Sequence, residues 1–172
     1  MKKLKVSIGL VNPKSPDNVG SVMRAAGNYR VDHVFFTGER YLRALEFQRQ
    51  AVNTGRQVGR NTPFSKVDCL LNEVSEGMKV VCIEFAENAM SLPEYQHPEQ
   101  AFYIFGSEDG TISQSIIDKA DAVVYVPTVG CMNLAATVNV VLYDRLAKSA
   151  QRIEGNALIR ASRDRNNTLK VS

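Results

Sequence analysis

The sequence has few of the residues on which metal-dependent and nucleophilic enzymes rely. Only two of its 172 residues are histidines, His33 and His97, and neither stands in an HExxH pattern or in a Ser-His-Asp order. The P-loop pattern GxxxxGK followed by Ser or Thr is absent, as is the dinucleotide-binding pattern GxGxxG. These absences exclude a P-loop kinase or GTPase and argue against a dinucleotide-dependent enzyme. No metal cofactor is expected.

Cysteines and long apolar runs are also scarce. The three cysteines, Cys69, Cys82 and Cys131, are odd in number and widely spaced, which argues against a disulfide framework or a zinc site. No apolar run approaches the roughly 20 residues of a membrane span. The first residues, Met-Lys-Lys, lead directly into a strand-like pattern, whereas a signal peptide has an apolar centre there. We therefore expect a cytoplasmic protein without a membrane segment.

What the sequence contains is typical of one compact α/β domain. Apolar residues make up 44% of the chain and charged residues 23%, as in ordinary globular proteins. Apolar segments predict strands at 4–10, 34–37, 80–83, 102–105 and 123–126, and helical patterns cover 19–29 and 132–149. Uniformly apolar strands alternating with helices indicate a parallel sheet covered by helices on both faces. We assign 1–150 to this domain and 151–172 to a C-terminal helix extension with a basic polar tail.

Basic residues are concentrated in two segments, although the net charge is only +3. The first segment spans 39–66, where no helix is predicted, and the second is the C-terminal tail. Their basic residues are Arg40, Arg43, Arg49, Arg56, Arg60 and Lys66, followed by Arg152, Arg160, Arg163, Arg165 and Lys170. Two such patches could form a rim that contacts phosphates. Taken alone, such charge clusters are better explained as a solvated surface and a loose tail.

Three segments directly follow predicted strands and carry residues suited to a ligand site, because ligands bind at the carboxyl ends of parallel strands. In the first, Asp17 or Asn18 can cap a helix, Gly20 allows another backbone to approach, and Arg24 lies about one turn further on. The second is Phe-Gly-Ser-Glu-Asp-Gly at 105–110, and the third is Val-Pro-Thr-Val-Gly-Cys-Met-Asn-Leu at 126–134. Taken singly, the second segment is better explained by a turn and a helix cap. Cys131 has no histidine partner, which disfavours a nucleophilic thiol.

Taken together, the three segments resemble the motifs of the SPOUT superfamily, in its TrmH/SpoU branch. The matching residues are Asn12, Asn18, Gly20 and Arg24, then Phe105, Gly106 and Glu108, then Val126, Pro127, Asn133 and Leu134. The resemblance extends over about residues 5–145 and implies an RNA ribose 2′-O-methyltransferase that uses S-adenosylmethionine. It also implies a deep trefoil knot in the C-terminal part of the sheet, and a homodimer.

The resemblance further implies which residues form the site. Arg24 matches the catalytic arginine of the family, and Asn18, Glu108 and Asn133 match its polar supporting positions. RNA contacts are expected at Arg24, Arg56 and Arg60. The cofactor is expected to be held by Ile83, Glu84, Phe85, Gly106, Ser107, Gly110, Val126, Cys131, Met132 and Asn133. Two departures stand out: Cys131 replaces a common serine, and Glu108-Asp109-Gly110 is more compact than the usual loop.

The chemistry of methyl transfer explains these residue types. Arg24 can stabilise negative charge developing on the ribose oxygen, whereas it is a poor base because a guanidinium stays protonated. Phosphate, water or a transiently neutral arginine all remain open as proton acceptors. Glu108 is expected to orient Arg24 or the cofactor, and Asn133 to bond loop carbonyls. Transfer RNA is favoured over ribosomal RNA. A non-catalytic RNA-binding protein of this fold and a small-molecule α/β enzyme are the alternatives.

Overall fold

A parallel sheet of seven strands forms the centre of the molecule. The computed structural model describes residues 6–51, 61–151 and 153–172. The strands are β1 (Val6–Leu10), β2 (His33–Phe36), β3 (Phe64–Lys66), β4 (Lys79–Ile83), β5 (Met90–Ser91), β6 (Ala101–Phe105) and β7 (Ala122–Tyr125). Their order across the sheet is β3-β2-β1-β6-β4-β7-β5, and every neighbouring pair is parallel. The strands β1, β6, β4 and β7 therefore end side by side at one edge.

The two central strands are buried over their whole length because both faces of the sheet are covered. Every residue of β1 and of β6 is buried. Side chains alternate along a strand, so Tyr103 and Phe105 belong to one core, whereas Phe102 and Ile104 belong to the other. The predicted α/β class with a covered parallel sheet is confirmed.

Within the described residues, five α-helices and two short 3₁₀ segments accompany the strands. The helices are α1 (Pro16–Asn28), α2 (Arg40–Ala51), α3 (Gln114–Ile117), α4 (Leu134–Lys148) and α5 (Asn156–Ser162). The 3₁₀ segments are Leu70–Glu73 and Leu92–Glu94. Helices α1 and α4 pack together and contribute to the core that contains Tyr103, while Leu70 and Ile112 contribute to the opposite core. Among the residues that the structure describes, no helix is long and apolar enough to cross a membrane.

The start of α1 lies earlier than the sequence predicted. Asp17 or Asn18 was expected to cap the helix, but the cap is Ser15, whose hydroxyl accepts a hydrogen bond from the Asn18 amide at 3.3 Å. Pro16 follows at the first helical position, where its missing N–H costs nothing and its fixed φ suits a helix. Asn18 is therefore inside the first turn, and its side-chain amide is free to bond elsewhere.

The segment from 39 to 66 also differs from the prediction, because α2 occupies its first half. Tyr41 anchors this helix to the sheet: its ring meets those of Phe36 and Phe64 edge-on, with centroids 5.4 and 5.5 Å away. Two basic residues of the segment are engaged within the protein, since Arg40 pairs with Asp109 and Lys66 pairs with Glu39. These two charges do not form a free basic rim.

The C-terminal half of α4 is tied to the chain that precedes β6. Arg145, which is buried, donates to the carbonyls of Pro98 and Glu99 at 2.7 and 2.8 Å. Lys148 donates to the carbonyls of Leu92 and Tyr95 at 2.6 and 3.0 Å. Four main-chain acceptors thus fix the C-terminal end of α4. They also fix the direction of this helix, whose N-terminal end lies near the end of β7.

Candidate active site

A cavity of about 140 Å³ opens where β4, β6 and β7 end. The loops that follow these strands supply most of its walls, and the first turns of α4 complete it. The lining residues are Ile83, Glu84, Phe85, Phe105, Gly106, Ser107, Glu108, Gly110, Tyr125, Val126, Thr128, Cys131, Met132, Leu134 and Thr137. Of the residues predicted to hold the cofactor, all but Asn133 are among them. The structure thus brings these sequence-distant residues to one cavity.

Several lining residues were not predicted. Phe105 and Tyr125 are the last residues of their strands, next to predicted loop positions. Thr137 lies four residues after Asn133 and so faces the same side of α4, one turn further in. Helical spacing from Asn133 was a signal that could have indicated Thr137. Thr128 donates to the Gly130 carbonyl at 2.7 Å and closes the turn before Cys131.

Glu84 fixes the loop that forms the floor of this cavity. One of its carboxylate oxygens accepts from the amide of Ile112 at 3.0 Å, and the other accepts from the amide of Phe85 at 3.0 Å. Gly110 allows the loop to turn tightly, since a Cβ there would lie only 2.7 Å from the Ser107 hydroxyl. A side chain at 110 would therefore require the Ser107 hydroxyl to move.

Glu108 joins the loop after β6 to the loop after β1. Its carboxylate accepts from the amides of Lys14 and Ser15, each at 3.0 Å, and from the side-chain amide of Asn18 at 3.1 Å. Partial burial opposes ionisation, but the hydrogen bonds from its own amide and from these neighbours outweigh it, so the pKa of Glu108 lies below its usual value. Glu108 is therefore a charged acceptor that binds two loops together.

Asn133 joins the third loop to the same network. Its side-chain oxygen accepts from the amides of Ala135 and Ala136 at 2.9 and 3.2 Å, which makes it the N-cap of α4. Its side-chain nitrogen donates to the Asn18 oxygen at 2.8 Å. The neighbours fix both amide orientations, because Glu108 can only accept from Asn18 and the helix amides can only donate to Asn133. Asn18 thus connects Glu108 with Asn133.

These contacts give two predicted site residues partners that the sequence did not indicate. Glu108 was expected to orient Arg24 or the cofactor, but the hydrogen bonds that the structure gives it come from Lys14, Ser15 and Asn18. Asn133 was expected to bond loop carbonyls, but it bonds amides of α4 and the Asn18 side chain. Spacing along the sequence could not reveal these partners, because they lie 90 and 115 residues apart.

Arg24 does not line the cavity of its own chain. It lies on α1 six residues after Asn18, a rise of about 9 Å along the helix. Its side chain is exposed and, within the described residues, makes no hydrogen bond or ion pair. Its catalytic role stays a prediction. Arg56 and Arg60, where RNA contacts were predicted, lie outside the described residues.

Cys82 and Cys131 differ in exposure. Cys131 is exposed at the edge of the cavity. Burial raises the pKa of the Cys82 thiol to about 12, so this thiol stays protonated and unreactive. In the part of the chain that the structure describes, no cluster of three or more His, Cys, Asp or Glu side chains has a geometry that could hold a metal ion.

Comparison with known proteins identifies the family. The model described as the SpoU rRNA Methylase family matches residues 5–143. The chain belongs to this family. The resemblance carried by the three motifs is thereby confirmed, and with it the prediction of an RNA methyltransferase.

Relatives and solved structures agree with this assignment. The tRNA (cytidine-2′-O-)-methyltransferase TrmJ of Methanocaldococcus jannaschii is 27% identical over 164 residues, which cover 86% of this chain and 70% of that protein. A structure described as giving insights into the 2-OH methylation of C/U34 on tRNA superposes with a TM-score of 0.69 at 19% identity, covering 86% of this chain and 92% of that one. The SpoU methyltransferase AviRb from Streptomyces viridochromogenes, in complex with the cofactor AdoMet, gives 0.66 at 15% identity, covering 86% of this chain and 59% of that one.

Proposed function

We propose that the protein methylates the ribose 2′-oxygen of a transfer RNA nucleotide, using S-adenosylmethionine bound in the cavity at the ends of β4, β6 and β7. The observation that carries the proposal is the coincidence of this cavity with the predicted cofactor residues. The network of Asn18, Glu108 and Asn133 beside it supports the assignment.

The chemistry of the cavity fits the proposed donor, which when bound supplies an electrophilic methyl group on a positively charged sulfur. Glu84 and Glu108 are among the lining residues, and within the described chain no lysine, arginine or histidine is. Two carboxylates and no cation suit a sulfonium. Apolar walls from Ile83, Phe85 and Leu134 suit the adenosine part, while the loops offer main-chain groups for its polar atoms.

Arg24 would act on the acceptor oxygen. A guanidinium near the developing alkoxide stabilises its negative charge, and Arg24, which is exposed and has no partner among the described residues, is available for that task. Because Arg24 does not line the cavity of its own chain, we propose that a second copy of the chain presents it there. The proton acceptor is not assigned to a side chain.

A homodimer is accordingly part of the proposal. Helix α4 exposes Ala136, Val140, Tyr143 and Ala147 on successive turns, with Val140 37% and Tyr143 62% exposed. Such an apolar line on the helix that packs against α1 suits contact with another copy. Light scattering on the purified protein measures this directly, and a monomer mass at assay concentrations would contradict it.

We also propose that the C-terminal part of the sheet is knotted. The support is topological: β4 precedes β6 and β7 in the chain but lies between them in the sheet, and the loop after β7 lines the same cavity as the loops after β4 and β6. We likewise retain residues 1–150 as the catalytic domain and 151–172, which contains α5, as an extension.

Substitution of Arg24 tests the catalytic assignment. Arg24→Ala should bind S-adenosylmethionine within about twofold of the wild type but lose roughly 10²- to 10³-fold in turnover, the usual effect of removing one stabiliser of a developing oxyanion. Arg24→Lys keeps the charge and should recover part of the rate. The matched control is Lys119→Ala, which removes an exposed cation at the opposite edge of the sheet, before β7. A large loss of donor affinity in Arg24→Ala would refute the assignment.

The RNA substrate is tested by incubating the protein with radiolabelled donor and with purified transfer or ribosomal RNA, followed by mapping of the modified nucleotide. The proposal favours transfer RNA because the TrmJ relative and the superposed C/U34 structure both concern transfer RNA. Ribosomal RNA is the second candidate, since the matching family is described as methylases of ribosomal RNA. Modification of ribosomal RNA alone would overturn the choice.

The basic segment between 39 and 66 makes a separate prediction about RNA affinity. Arg56→Gln and Arg60→Gln should each reduce the slope of log affinity against log salt by about 0.7 to 0.9 if each arginine contacts one phosphate. The measurement is RNA binding by fluorescence anisotropy over a range of salt concentrations. An unchanged slope in both variants would exclude these two residues as phosphate contacts.

A further inference from the structure

Arg40, the first residue of α2, connects two loops at the edge of the candidate active site. Its Nη1 lies 2.9 Å from each carboxylate oxygen of Asp109, in the loop after β6. Its Nη2 and Nε donate to the carbonyl of Asn12, in the loop after β1, at 2.7 and 3.3 Å. One guanidinium therefore holds a side chain of one loop and the main chain of the other.

The main chain that Arg40 contacts has an unusual conformation. Asn12 has a φ of +43°, and its side-chain oxygen is buried without a hydrogen-bond partner in the structure. That oxygen lies against Gly38, whose φ is +82° and where a Cβ would come within 2.0 Å of it. The Asn12 amide donates to the Thr37 hydroxyl at 3.2 Å. The side chains of Arg40 and Thr37 thus form hydrogen bonds with the carbonyl and the amide of Asn12, respectively.

The contact matters for the cavity because of the position of Asp109. This residue stands between Glu108 and Gly110, which both line the cavity, although Asp109 itself does not. Glu108 already bonds the loop after β1 through Lys14, Ser15 and Asn18. Asp109 adds a second attachment on the same turn. Fixing Asp109 therefore restricts the two neighbours that form the wall.

We propose that Arg40 is a positioning residue for the methyl donor: by binding Asp109 and the Asn12 carbonyl together, it holds the loop 106–110 in the shape that receives the donor. The inference deepens the proposed function and rests on it. A planar guanidinium is needed because it bonds both partners at once, whereas a lysine offers a single point charge. Lys14 cannot replace it, since its ammonium lies 3.7 Å from Asp109 and its side chain is 64% exposed.

This role differs from the one that the sequence predicted for the basic segment. The sequence places Arg40 among the basic residues that could form a rim in contact with phosphates. In the structure its guanidinium is paired with Asp109, and its side chain is one-third exposed. Loss of a positioning residue should affect donor affinity more than folding. An exposed ion pair adds little to the stability of the protein. Without it, however, the loop has to be ordered when the donor binds, and that cost reduces the affinity directly.

The test is isothermal titration calorimetry of S-adenosylmethionine with the full chain. Arg40→Gln and Asp109→Asn should each weaken donor binding roughly tenfold, the effect of losing about one charged hydrogen bond. The double variant should be no worse than Arg40→Gln alone, because that substitution already removes the contact with Asp109. Arg40→Lys should recover only part of the affinity. At saturating donor, the turnover of all variants should stay within about twofold of the wild type, with thermal midpoints close to it.

The matched control is Lys79→Gln. It breaks another exposed ion pair, that of Lys79 with Asp121 at 3.0 Å, at the amino ends of β4 and β7. Its donor affinity should equal that of the wild type.

Four results would overturn the inference. The first is that the wild type binds the donor and Arg40→Gln binds it with an affinity within twofold of the wild type. The second is that the double variant loses as much binding free energy as the two single variants together. The third is weaker RNA binding in Arg40→Gln with unchanged donor affinity, which would return Arg40 to the phosphate-contacting rim. The fourth is that the wild type itself binds no donor. This result would also contradict the proposed function, and it differs from the other three because in those the wild type binds.

Discussion

The most direct test of the loop network is a pair of substitutions at Asn133. This residue performs two tasks, since its oxygen caps α4 and its nitrogen donates to Asn18. Serine is as good an N-cap as asparagine but cannot reach Asn18 in the same way, whereas alanine removes both contacts. Comparing Asn133→Ser with Asn133→Ala therefore separates the cap from the bridge.

The magnitudes follow from the two kinds of contact. Loss of an N-cap side chain costs about 1 kcal/mol. The bridge to Asn18 is an exposed side-chain hydrogen bond, so its loss costs about 0.5 kcal/mol, the low end for such bonds. Asn133→Ala should thus lower the free energy of unfolding by about 1.5 kcal/mol and Asn133→Ser by about 0.5 kcal/mol. For a chain of this size these values correspond to falls in Tm of roughly 3–6 °C and 1–2 °C.

Thermal unfolding followed by far-ultraviolet circular dichroism, without donor and at one protein concentration, measures the difference. Donor affinity supplies a second reading, because both variants lose the bridge and should bind S-adenosylmethionine with similarly reduced affinity. Equal Tm values for Asn133→Ser and Asn133→Ala would refute the capping argument. Wild-type donor affinity in Asn133→Ser would refute the claim that the bridge to Asn18 shapes the site.

Two further predictions concern single side chains. Cys131→Ser should retain at least about half of the wild-type turnover with radiolabelled donor, because the exposed thiol borders the cavity without a histidine to activate it; a folded but inactive variant would contradict this. Burial lowers the pKa of His97 despite its bond to Asp144, with Arg145 and Lys148 opposing protonation too. The unfolded chain then binds the proton more readily, so stability should fall as the pH drops below about 6.5. His97→Gln should flatten that fall in urea unfolding, and an unchanged pH dependence would contradict the reasoning.

Much of the fold could be predicted because the central strands are uniformly apolar. Strands β1, β4, β6 and β7 were expected within two residues of their observed bounds, since a buried parallel strand leaves a short apolar run in the sequence. The edge strands β3 and β5 were not predicted. They have three and two residues, too few for any periodicity to be recognised.

Helix α2 was missed although the sequence carries a signal for it. Tyr41, Ala44 and Leu45 stand at spacings of three and four residues, and all three are partly buried. The charged residues around these positions mask the helical periodicity. The start of α1 was also misplaced: Ser15 followed by Pro16 is a stronger start signal than Asp17 or Asn18, because proline favours the first helical position.

The candidate site was predictable only as a set of separate loops. The resemblance to a family identified residues that line one cavity, but the partners of Glu108 and Asn133 depend on how those loops approach one another in space. The pairing of Arg40 with Asp109 depends on the same approach. Contacts between residues 69 to 115 positions apart leave no local pattern in a single sequence.

The composition of the cavity wall carries a consequence for the reaction. Glu84 and Glu108 line it, and among the described residues no cation does, so the cavity suits a positively charged donor but supplies no positive charge to stabilise an alkoxide. The stabilising charge must then come from outside this wall. Arg24 is exposed and unpaired within the described residues, so it can reach the cavity of a second copy of the chain. Donor binding should therefore need only one chain, whereas turnover should need two.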